Sequence, residues 1–82
     1  MVVFVENAFK HGYQEEDFLE VLETGPLKLR SRRGLDGVYE LFGKNYAGED
    51  LHVAYRREED REIVFHIRAM NLREKQMYRK NR

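Results

Sequence analysis

The chain has 82 residues, a length that holds one domain, residues 1–82, and its 37% charged residues exclude a membrane protein while 41% hydrophobic and 12% aromatic residues exclude a disordered one. No run approaches the roughly 18 apolar residues of a membrane span, the start Met1–Val5 lacks the basic flank of a signal peptide, and the absence of cysteine removes disulfides, thiolate zinc sites and thiol catalysis, all of which fits a cytoplasmic protein. The formal net charge of +0 hides a segregation: residues 1–26 hold one base against six acids, a net of −5, and residues 27–82 hold 14 bases against nine acids, a net of +5.

Val2 to Val5 is a short apolar run of strand-forming residues. Glu6 to His11 has the length of a helical turn or two, closed by Gly12. Gln14 to Thr24 predicts a helix with acids in its first turn, where the macrodipole favours them, and with Phe18, Leu19 and Leu22 as its buried face. Gly25-Pro26 stops it, and the hydrophobic period changes from 3.6 to 2.

Leu27 and Leu29 alternate with Lys28, Arg30 and Arg32 in the first strand of a sheet. Gly34 and Gly37 mark a turn. Val38 to Lys44, Leu51 to Arg56 and Ile63 to Arg68 follow as strands with short connections, an antiparallel meander of four. Asn71 is a good N-cap with Glu74 at the capping-box position, so a last helix runs to about Lys80. The expected architecture is α/β (α+β): N-terminal helices, a four-stranded antiparallel sheet and a C-terminal helix. Strand parity places Leu29, Leu41, Val53, Phe65 and Ile67 in one core with Leu19 and Leu22.

The same parity gathers Lys28, Arg30, Arg32, Lys44, Arg56 and Arg68 with His52, His66 and Phe42 on the opposite face, against Glu40 alone among acids. This assignment assumes no bulge, since one extra residue flips the rest of a strand. A cationic sheet face with a ring for stacking suits single-stranded RNA, with Lys44, Arg56 and Arg68 as phosphate contacts. The competing reading is a solvated sheet face, polar for no functional reason. His52 and His66 have the chemistry of an acid or base near neutral pH but also suit an exposed strand, and His11 before Gly12 suits the end of the first helix. The three histidines lack metal-ligand spacing, and no cofactor motif is present.

Several motifs then resemble one family. Lys10-His11-Gly12 followed by an acidic helix ending at Gly25-Pro26, Phe42-Gly43-Lys44 followed by Gly48 and Leu51 to Tyr55, and Ile67-Arg68-Ala69-Met70-Asn71 with Glu74 and Tyr78 together resemble the BrnT-type toxins of bacterial type II toxin–antitoxin systems, in the RelE-like ribonuclease superfamily. The ending is the most specific of these motifs. The chain departs from the family at its start, Val3-Phe4-Val5-Glu6, and in having Ile67-Arg68 for an Ala-Arg pair.

The resemblance implies a RelE-like fold and an endoribonuclease. In it Arg68, helped by Lys44, stabilises the charged phosphorane, His11 or His66 moves a proton, Lys10 holds a phosphate, and Tyr78 orients a base or packs the last helix. It also implies RNA and a cognate antitoxin protein as partners, in a toxin–antitoxin heteromer or a homodimer, without a cofactor. The alternatives are a non-catalytic RNA- or protein-binding module of the same fold, and a structural domain that dimerises through strand edges.

Overall fold

A computed structural model of the chain describes residues 1–31 and 33–81; the expected contribution of Arg32 lies outside them. The elements run β1 (Val2–Phe4), a 3-10 turn (Glu6–Phe9), α1 (Glu15–Glu23), β2 (Leu27–Arg30), β3 (Val38–Lys44), β4 (Asp50–Glu58), β5 (Arg61–Ala69) and α2 (Leu72–Asn81). The fold is mixed α+β, with a sheet of five strands in the order β1-β5-β4-β3-β2.

The expected four-stranded antiparallel meander is correct for β2 to β5 and incomplete at the edge. The apolar run at the start joins as β1, parallel to β5, with Val3 opposite Ile63. Its backbone pairs with the first part of one edge of β5: Glu62 N–H donates to Met1 O at 2.8 Å and Val5 N–H to Val64 O at 3.1 Å.

One face of the sheet is covered by the 3-10 turn and α1. Ala8, Phe18 and Val21 bury there against Leu41, Leu51, Val53, Tyr55, Val64 and Ile67. Leu19 and Leu22, expected in this core, are 50% and 43% exposed. Phe18 and Val21, three apart, form the buried stripe instead. The close approach of α1 to β3 needs Gly43, where a Cβ would lie 3.2 Å from both Val21 Cγ1 and Pro26 Cβ. A capping box holds the start of α1, with Gln14 N–H donating to Asp17 Oδ2 at 2.8 Å.

Two further corrections come from register. Leu27 pairs with Phe42 and Leu29 with Glu40, so both leucines lie on the face opposite α1. Lys28 and Arg30 take the α1 side, where Lys28 Nζ sits 4.9 Å from the centre of the Tyr39 ring. In β5 the pairing passes from His66 opposite Ala54 to Val64 opposite Tyr55, which leaves Phe65 as a bulged extra residue. Val64 therefore enters the core, and Phe65 is displaced from it.

The second face carries a smaller cluster. Phe42, Met70 and Tyr78 are buried together, with Leu27, Leu29 and Met77 packed against them. These contacts set α2 across the Phe42 end of the sheet and leave the rest of that face open.

Candidate functional site

The open part of the second face forms a cavity of about 530 Å3. His52 and Ala54 of β4 and His66 and Arg68 of β5 line it, and Ser31 and Arg33 close the β2 side. The antiparallel register dictates this grouping. His52 lies opposite Arg68 and Ala54 opposite His66, so alternation brings all four to one face. The bulge adds Phe65 to the lining.

Arg68 is held rigidly. Its two Nη atoms donate to the two carboxylate oxygens of Glu74 at 2.6 and 2.8 Å, and Nη1 also donates to Ala69 O at 2.9 Å. Those bonds use three of the five N–H donors of a guanidinium that lines the cavity. Glu74, 1% exposed, also forms the expected capping box: it accepts from Asn71 N–H at 3.0 Å, and its own N–H donates to Asn71 Oδ1 at 2.8 Å. The start of α2 and the orientation of Arg68 therefore depend on one carboxylate.

Three imidazoles run through the site edge to face. The His52 and His66 rings are 5.4 Å apart and those of His66 and His11 5.6 Å apart. His11 arrives from the segment after the 3-10 turn, which passes the edge of β5 beyond the three residues that β1 covers. Burial, then the positive field of His52, Arg68, His11 and Lys10, pushes His66 down to about 4, so its ring is neutral at pH 7. Burial also lowers His52, more than its hydrogen bond to Glu40 raises it.

The Glu40–His52 pair was not singled out by sequence. His52 Nε2 lies 2.7 Å from Glu40 Oε1, both side chains are buried, and the Phe42 ring packs 4.9 Å from the imidazole. Glu40 sits diagonally across from His52, one pleat from its direct partner Phe42. Counting inward from the hairpin loop, where Lys44 faces Asp50, would have placed the two together.

The other expected residues fall in different places. Lys10 is near enough to depress His66 by its charge. Lys44 lies outside the cavity and forms an ion pair with Asp50 at 2.6 Å, so its charge is largely compensated. Arg56 is exposed beside a shallower cavity of about 250 Å3, shared with Ile63 and Phe65. Tyr78 is buried against Phe42 and Met70, the packing alternative of the two expected for it. The face is thus less cationic than parity suggested, because Lys28 and Arg30 lie behind it and Lys44 and Arg68 carry carboxylate partners.

Among the described residues no group of three His, Cys, Asp or Glu is arranged to hold a metal ion, and no helix is long and apolar enough to cross a membrane. Arg68, His66 and their neighbours offer an anion-binding wall, a neutral imidazole to accept a proton and a second imidazole beside it. No protein-family model matches the chain, and no curated protein is significantly similar to it.

Proposed function

We propose that this protein is an endoribonuclease of the RelE-like, BrnT-type toxin class its motifs resemble, cleaving RNA in the cavity over β4 and β5. The observation that carries the reading is the convergence of a neutral His66 and an oriented Arg68 at one cavity wall, with the ring of His11 5.6 Å from that of His66. His66 takes the proton of a ribose 2′-OH as that oxygen bonds to the adjacent phosphorus. Arg68 and Lys10 balance the charge on the phosphorane oxygens. The bond from phosphorus to the 5′-oxygen breaks, and that oxygen takes up a proton passed through the neighbouring ring of His11. The products are a 2′,3′-cyclic phosphate and a 5′-hydroxyl. An antitoxin protein covering this face in a heteromer, in the cytoplasm, completes the proposal.

A second reading, a non-catalytic module that binds RNA or an acidic protein, is favoured by the carboxylate partners of Arg68 and Lys44, which hold those charges in place without chemistry. One experiment separates the two. Purified protein is incubated with an end-labelled RNA in EDTA, and the product ends are identified. The expected result is cyclic-phosphate ends, reduced about 10²–10⁴-fold in His66→Gln, the range of general acid–base catalysis. RNA bound in a filter assay but left intact by the wild type would establish the binding module.

A further inference from the structure

Among the described residues, the buried face of the site holds one side-chain nitrogen without a hydrogen-bond partner. His52 Nδ1 is enclosed and makes no hydrogen bond, although the ring is fixed through Nε2 by Glu40 at 2.7 Å. A carboxylate only accepts, so Nε2 carries the hydrogen, and the neutral ring that burial favours leaves Nδ1 as a bare lone pair. Such a buried, unpaired lone pair is a cost that packing alone does not explain, since an aliphatic side chain would fill the space between Phe42 and His66 without it.

The two imidazole nitrogens point to opposite sides of the ring. Nε2 engages Glu40 of β3, which leaves Nδ1 for a partner elsewhere around the ring. On the β5 side the neighbours are Arg68, whose guanidinium is already held by Glu74, and the ring of His66. His66 is the group there whose proton content changes during the proposed reaction.

We infer that Glu40 and His52 form a proton-accepting pair behind His66: when His66 becomes an imidazolium, its N–H donates to His52 Nδ1, and Glu40 stabilises the positive charge thus shared. No bond to carbon or phosphorus changes in this step; a proton is shared between two nitrogens and returns when His66 is regenerated. The inference rests on the reading of the cavity as an RNA-cleaving site, and it makes His52 and Glu40 positioning residues that act through His66. It gives a positioning role to His52, which strand position alone would leave as a polar residue of an exposed sheet face. It also accounts for how a ring held down to about 4 accepts a proton at all. Among the described residues, the charged and titratable groups around His66 are Lys10 and His11 from the segment after the 3-10 turn, His52 from β4 with Glu40 of β3 behind it, Arg68 on its own strand with Glu74 of α2 behind that, and Arg33 in the wall of the same cavity.

The test is the sign of a change. Gln reaches the Nε2 position, so His52→Gln keeps a donor for Glu40 and removes the Nδ1 acceptor. The His66 ring is titrated by NMR in wild type and variant. If the pair accepts from His66, its pKa falls in His52→Gln; if His52 merely repels a second charge, the pKa rises or stays, and the inference is overturned. Glu40→Gln, which keeps the shape and removes the charge, is expected to lower the His66 pKa in the same direction. In the unaltered protein the His52 Nδ1 resonance shifts as His66 titrates, and an unresponsive resonance would equally overturn the inference. For RNA cleavage, His52→Gln lowers kcat about tenfold or more and leaves KM within about twofold. Because the titration uses no RNA, a wild type without cleavage counts against the proposed function, and an unchanged or raised pKa counts against the pair.

Discussion

Glu74→Gln tests how far the fold and the cavity share one support. The carboxylate is 1% exposed and receives two charge-assisted hydrogen bonds from Arg68 at 2.6 and 2.8 Å, plus the Asn71 N–H at 3.0 Å. Glutamine offers one acceptor oxygen, and its amide N–H groups meet an Arg68 N–H head on. Removing one partner of a buried pair typically costs about 3–5 kcal/mol. The Arg68 side chain is 26% exposed and relaxes partly into water, and the Asn71 side of the cap survives, so about 2–4 kcal/mol is expected here. For a domain of this size that is a fall in Tm on the order of 10–25 °C. Urea unfolding followed by circular dichroism measures it, with the denaturant slope unchanged. Arg68→Met combined with Glu74→Leu should recover most of the loss, since an apolar pair of similar volume removes the stranded charge. A loss below about 0.5 kcal/mol in the single variant would show that the pair does not support the start of α2.

Phe42→Ala should cost about 3–5 kcal/mol, because the ring is fully buried beneath α2, whereas Leu22→Ala on the outer side of α1 should stay within about 1 kcal/mol; equal losses in urea would mean that the buried stripe of α1 has been misassigned. Stability should also fall with acid before the carboxylates titrate. His52 and His66 are both depressed in the folded chain, so the unfolded chain binds protons first; their contribution is complete above about 6.5 and is lost as pH falls towards the His66 value of about 4. Linkage over that window allows at most about 3 kcal/mol for His66, and solvent screening of its partly exposed ring reduces this to about 1–2 kcal/mol. Urea midpoints measured between pH 7 and 5 should decline in the wild type and flatten in His66→Gln; a flat wild-type profile would contradict the assignment of a neutral His66.

Alternation made Leu41, Val53 and Ile67 legible as core from sequence, and the Asn71–Glu74 spacing made the start of α2 legible, because each depends on residues within one element. What sequence did not show depends on how elements meet. The bulge at Phe65 has no signature in Ile63 to Arg68, yet it decides which of Val64 and Phe65 is buried. The side chosen by Leu27 and Leu29 follows from the pairing of Leu27 with Phe42, and Phe42 in turn is covered because α2 returns to that face. The partner of Arg68 is likewise tertiary: parity offered Glu40 across the sheet, but Glu40 holds His52, and the capping carboxylate already placed at position 74 receives Arg68. Three of the expected site residues, His11, His66 and Arg68, do come together, whereas Lys44, Arg56 and Tyr78 are drawn off by an ion pair, a separate cavity and a core.

The charge segregation acquires a geometric meaning at the edge of β5. Lys10 is the one base in an otherwise acidic first segment, and it sits with His11 just where the chain passes the edge of β5 towards the cavity side. The acids of α1 remain on the opposite face of the sheet, where Phe18 and Val21 anchor the helix. A polyanion approaching the cavity thus meets Lys10, Arg33 and the wall of Arg68, with the acidic helix behind the sheet. The fixed carboxylates beneath Arg68 and His52 give up net charge and gain orientation. Charged and polar groups already held in place need little reorganisation as negative charge develops on a phosphorane, which is where electrostatic stabilisation is most effective. On this fold a few held groups, backed by Glu74 and Glu40, suit the proposed chemistry better than a uniformly cationic surface would.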